Sequence, residues 1–70
     1  MSATGPAERR MANDIATNLA HLPPERAVAE LAGHIGRFWD PRMRSKLYAL
    51  VDDGAPEVHP LVAEAVKLLR

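Results

Sequence analysis

The stretch Arg37-Phe38-Trp39-Asp40-Pro41-Arg42-Met43-Arg44-Ser45-Lys46-Leu47-Tyr48 carries the clearest boundary in the chain. Asp40 suits an N-cap, because its short carboxylate can accept from the free backbone N–H groups of a starting helix. Pro41 suits the first helical position, where no N–H is needed, and the restriction on a pre-proline residue helps to break any helix arriving at Asp40. One helix therefore ends just before Asp40 and another begins at Pro41. Forward from there, Met43, Leu47, Leu50 and Val51 fall at i, i+4, i+7 and i+8, one helical face. Asp52-Asp53-Gly54 stops that helix, with Gly54 placed for a left-handed C-terminal cap. Backward, Val28, Leu31, Ala32 and Ile35, followed by either Phe38 or Trp39, line one face of a helix opening at Pro24. Gly33 and Gly36 weaken that helix by up to about 1 kcal/mol each relative to Ala, unless they let another backbone approach.

The flanking segments read the same way. Between Glu8 and Ala20, apolar residues recur at helical spacing (Met11, Ala12, Ile15, Ala16, Leu19), and Pro23-Pro24 ends the run. Pro60 opens a last helix with Leu61, Val62, Ala65, Val66, Leu68 and Leu69 as its stripe, and His59 stands at its N-cap position. No alternating strand pattern and no internal repeat occurs. Residues 1–7 read as a flexible N-terminal tail and residues 8–70 as a single helical domain. The expected fold is all-α, a small bundle of three to four short helices.

Composition narrows function. With 70 residues, 9 Lys+Arg, 9 Asp+Glu and no cysteine, the chain has room for one small domain. It can supply no disulfide, thiolate zinc site or cysteine-ligated cluster. A formal net charge of zero argues against a dedicated nucleic-acid or membrane-surface binder. No apolar run approaches the roughly 20 residues of a membrane span, and no secretory leader is visible, so a soluble cytoplasmic protein is expected. Of the apolar residues 12 are alanine, which leaves a meagre core and suggests that a partner supplies part of the stability.

Catalytic chemistry has little to stand on. His21, His34 and His59 are far apart and form no metal-binding spacing, no glycine-rich loop could cradle a phosphate, and neither Ser2 nor Ser45 lies in a nucleophile elbow. The expectation is no catalytic, cofactor-binding or metal-binding residue in this chain.

The segment quoted first points instead to recognition. Between Arg37 and Tyr48 lie all three aromatic residues and four of the nine basic ones; Trp, Tyr, Met and Arg are types enriched at interface centres. Arg42 and Arg44 occupy the first turn or so of their helix, where cations oppose the macrodipole by about 0.3–1 kcal/mol each. Arg42 and Lys46 add a like-charge pair at i, i+4. Asp40 offsets part of this through its cap and an expected i, i+4 contact with Arg44. The remainder calls for acids from elsewhere, either a partner or the intramolecular set Asp52, Asp53, Glu57 and Glu64.

Two blocks, Arg10-Met11-Ala12-Asn13-Asp14-Ile15-Ala16 and His34-Ile35-Gly36-Arg37-Phe38-Trp39-Asp40-Pro41-Arg42-Met43-Arg44, with Pro60-Leu61-Val62 after them, resemble the delta subunit of soluble NAD-dependent formate dehydrogenase. The likeness runs from about Arg10 to Leu69 and departs at His59, where the family more often has a shorter polar cap residue. It implies a cytoplasmic complex that oxidises formate to carbon dioxide and reduces NAD+. In such complexes an alpha subunit holds bis-molybdopterin guanine dinucleotide with molybdenum or tungsten and iron–sulfur clusters, and beta and gamma subunits carry FMN and further clusters. The delta chain binds no cofactor and is associated with assembly, cofactor retention and stability, with the alpha subunit as direct partner and neither nucleic acid nor membrane involved. The candidate interface is Arg10, Asn13, Arg37, Phe38, Trp39, Asp40, Arg42, Met43, Arg44 and Tyr48. The rival reading is a free-standing small helical interaction or nucleic-acid-binding module using residues 40–51 as its recognition helix; a third is a homodimeric bundle.

Overall fold

Proline opens every helix but the first. The computed structural model describes residues 7–54 and 57–70, in which four helices follow one another: α1 (Ala7–Leu19), α2 (Pro24–Phe38), α3 (Pro41–Asp52) and α4 (Pro60–Leu69). Helices α2, α3 and α4 each begin with proline at the first turn. Ala7 is already helical, one residue earlier than the expected tail boundary, and residues 1–6 of that tail lie outside the described residues. No strand occurs among the described residues.

The caps follow their chemistry. Asp40 is extended (φ −78°, ψ 167°) and its Oδ1 accepts from the Met43 N–H at 2.9 Å. His59 Nδ1 accepts from the Leu61 N–H at 3.1 Å, so an imidazole performs the N-cap task at α4. At the end of α3, Gly54 takes φ +70° and its N–H donates to the Val51 carbonyl at 3.0 Å, the left-handed exit that a Cβ would strain.

Burial then selects faces. Along α2 the buried row is Ala27, Leu31 and Ile35, and it continues at Trp39, which is 5% exposed. Those four positions are spaced by i+4, so they stack on one side of the helix. Phe38 stands one residue off that row and is 66% exposed. Of the two aromatics the sequence left open, Trp39 therefore belongs to the core and Phe38 to the surface. Trp39 itself has left the helix (φ −92°, ψ 138°) while its N–H still reaches the Ile35 carbonyl, which ties the tight α2–α3 connection to the core. Leu31, Ile35 and Trp39 form one buried cluster with Ala12 and Ala16 of α1, Ala32 of α2, Leu47 of α3 and Val62, Ala65 and Val66 of α4. Helix α2 packs most extensively on α4, and α1 touches all three other helices. At the α2–α4 contact a Cβ on Gly36 would lie 3.2 Å from Leu69 Cδ2, so a side chain, not a backbone, comes close there; a Cβ on Gly33 would meet nothing within 4 Å.

Candidate interaction surface at the α2–α3 junction

The run from Arg37 to Tyr48 divides into an inward and an outward set. Trp39 is buried, and Met43 and Tyr48 are half-buried against the core. Arg37, Phe38, Asp40 and Arg42 are exposed. Phe38 is not alone, because the His34 ring one turn earlier lies 4.9 Å from it, centroid to centroid, tilted by 44°. Sequence reading had not singled out His34 for this; its signal was the i, i+4 spacing of two rings on an exposed face. Trp39, named among the interface candidates, is part of the core of the isolated chain.

Arg44 behaves differently from expectation. Its guanidinium donates to the Gly36 carbonyl at 3.3 Å instead of pairing with Asp40, whose carboxylate is engaged at the Met43 N–H. A cation at the closing turn of α2 is favourable because the last carbonyls of a helix are unsatisfied and carry partial negative charge. The charge that opposes α3 thus supports α2.

Three of the four acids weighed as intramolecular partners, all but Asp53, are committed elsewhere. Asp52 accepts from Arg70 at 2.6 Å, Glu57 pairs with Arg9 at 3.7 Å and Glu64 with Lys67 at 3.1 Å. Glu8 of α1 takes Lys46 at 3.9 Å. Among the described residues no carboxylate pairs with Arg37, Arg42 or Arg44. Arg70, whose hydrogen bond and charge interaction with Asp52 raise its pKa, also stands 5.4 Å above the Tyr48 ring. That corner, joining α3 to α4, was invisible in the sequence because residues 48, 52 and 70 meet only in three dimensions.

The two candidates on α1 separate as well. Arg10 is exposed. Asn13 is half-buried and faces inward: its amide donates to the Glu57 carbonyl at 2.7 Å and its carbonyl oxygen accepts from the His59 N–H at 2.9 Å. Asn13 therefore braces the entry to α4. Among the described residues no three His, Asp or Glu side chains lie together as a metal-binding group, and no helix is long and apolar enough to cross a membrane.

What the surface offers is one large exposed aromatic, Phe38, between two arginines that pair with no carboxylate among the described residues, on a short junction anchored by Trp39. No curated protein and no solved structure matches the chain. Residues 10–66, which span the α1 face, the whole junction and most of α4, match the family described as NADH-dependent formate dehydrogenase delta subunit, FdsD, and the chain belongs to that family.

Proposed function

We propose that this delta subunit is a non-catalytic accessory chain that binds the large molybdopterin-containing alpha subunit directly and stays bound. Membership of the family supports a role within a multi-subunit formate dehydrogenase. In this reading the bis-molybdopterin guanine dinucleotide with molybdenum or tungsten, the iron–sulfur clusters and FMN reside in the alpha, beta and gamma subunits. The delta chain holds no cofactor, contacts neither nucleic acid nor membrane, and works in the cytoplasm. Its contribution is assembly, cofactor retention and stability: a chain that binds only the folded partner shifts that partner's folding equilibrium by mass action.

One observation carries the proposal. Phe38 is 66% exposed between Arg37 and Arg42, neither of which has a carboxylate partner among the described residues. An aromatic anchor flanked by arginines is the composition of an interface hot spot, and it calls for an apolar pocket rimmed by acids on the alpha subunit. The test is co-purification of the complex from its host with wild-type chain or with Phe38→Ala. Retention of the wild type through purification of active complex, with loss of the variant, supports stable docking at this site. Active complex free of the delta chain overturns it.

A further inference from the structure

One exposed side of α2 is centred on Glu30, Gly33 and Arg37, which point away from its buried row, with His34 and Phe38 on the flank. Ala29, Glu30, Gly33, His34, Arg37 and Phe38 line a shallow depression of about 320 Å³ along it. All six are exposed, and nothing lies within 4 Å of where a Gly33 Cβ would be. Along the middle of this face run Glu30 and Arg37, two helical turns apart, with no ion-pair partner for either among the described residues.

We propose that this face pairs with a second copy of the same chain, α2 against α2 in antiparallel orientation, about a two-fold axis passing between Gly33 and His34. The argument is charge symmetry. Glu30 and Arg37 sit on opposite sides of that midpoint, each about 5 Å along the helix axis from it at 1.5 Å per residue. An antiparallel copy therefore sets Glu30 of each chain opposite Arg37 of the other, closing two ion pairs at once. A parallel copy in register sets Glu30 against Glu30 and Arg37 against Arg37. The contact is isologous, as two-fold dimers require. Gly33 lies beside the axis, where the lack of a side chain lets the two helices approach.

One helix face per chain is small against the roughly 800 Å² per partner of a standard interface. The dimer is accordingly weak and exchangeable, with a dissociation constant on the order of 10–100 µM. Arg37 and Phe38 belong also to the surface proposed for the alpha subunit, so self-association and docking exclude each other. The dimer is a state of the chain before capture, and it does not rest on the alpha-subunit reading, since it is measured on this chain alone.

Sedimentation velocity on the purified full-length chain across concentration tests it. The wild type is expected to pass from monomer to dimer. Gly33→Leu, whose side chain enters open space in the monomer, is expected to remain monomeric with unchanged helical circular dichroism. Glu30→Arg and Arg37→Glu each set like charges across the axis and are expected to weaken the dimer about tenfold or more. The double variant Glu30→Arg/Arg37→Glu restores both pairs with the signs exchanged, and is expected to return to within about threefold of wild type. A wild type that stays monomeric up to about 1 mM, a Gly33→Leu chain that still dimerises, or a double variant as weak as the singles overturns the proposal.

Discussion

Asn13 on α1 holds His59 in place across 46 positions of sequence, its carbonyl oxygen accepting the His59 N–H at 2.9 Å while its amide donates to the Glu57 carbonyl at 2.7 Å. At the entry to α4 a single side chain thus satisfies two backbone groups, the Glu57 carbonyl and the His59 N–H. His59 then accepts from Leu61, so the register of α4 depends on α1. Asn13→Ala removes both bonds and leaves the part-buried His59 N–H and the exposed Glu57 carbonyl unmet, which costs about 1–2 kcal/mol. In a chain of this size a thermal melt should fall by about 4–8 °C per kcal/mol. Asn13→Asp keeps the acceptor and loses the donor, so its melt should lie between the two.

Phe38 and Trp39 are neighbours in sequence with opposite duties, and their variants should part accordingly. Trp39→Ala empties the core end of the α2–α3 connection and should destabilise the fold by about 3–5 kcal/mol. Any loss of complex in that variant then follows from unfolding. Phe38→Ala should leave the melt within about 0.5 kcal/mol of wild type and lower capture of the alpha subunit about tenfold or more. Measuring melting and co-purification on both variants separates the roles. A stable Trp39→Ala chain would contradict the core assignment, and unimpaired capture of Phe38→Ala would remove the anchor.

The helices were legible because their boundaries are local chemistry. Pro24, Asp40-Pro41, Gly54 and His59-Pro60 each act through backbone geometry or a cap within three residues, and the starts of α2, α3 and α4 stand where those residues put them. The candidate surface was legible only in composition. Which of two adjacent aromatics points inward depends on where α2 ends and on what α4 presents to it. The partners of Asp52, Glu57 and Asn13 lie 18, 48 and 44 positions away in sequence, beyond any periodicity; Arg44 leaves the expected Asp40 contact because its acceptor, the Gly36 carbonyl, belongs to the preceding helix.

The glycines of α2 and of the α3 exit should respond with opposite signs. Gly33→Ala adds a methyl group to open space within a helix, and should stabilise the monomer by about 0.5–1 kcal/mol through helix propensity. Gly54→Ala forces a Cβ into φ +70° and should destabilise by about 1–2 kcal/mol. Chemical denaturation at constant slope reads both; a neutral Gly54→Ala would mean that the turn can close in another conformation.

The Arg70 clasp should respond to salt and not to pH over the working range. Its pKa is raised, first by the hydrogen bond to Asp52 and then by that carboxylate's charge. A raised folded-state value means that the contribution is full below the ordinary arginine pKa and is lost only as pH climbs through the higher folded value. Both lie above the range of a folding experiment. Ionic strength does reach the pair, since both side chains are about half exposed and exposed pairs are screened. Arg70→Gln should therefore lower the melting temperature slightly in dilute buffer, and the difference from wild type should shrink as salt is raised to about 1 M. A difference that persists at high salt would assign the effect to the guanidinium packed on Tyr48.

Arg42 sets folding against assembly. It is exposed at the second position of α3, where its charge opposes the helix dipole, and Lys46 one turn on repels it. The helix has no acidic residue in its first turn to compensate. Arg42→Glu reverses both terms, placing an anion at the N-terminus and a Glu–Lys pair at i, i+4. The isolated chain should gain about 0.5–1.5 kcal/mol and melt higher. If Arg42 serves an acidic rim on the alpha subunit, the same substitution puts like charges across that interface and should reduce co-purification by tenfold or more. Arg42→Gln should fall between in both measurements. A variant that both folds better and is retained fully in the complex would leave this arginine without a recognition role, and the unfavourable charge at the start of α3 without an explanation in assembly.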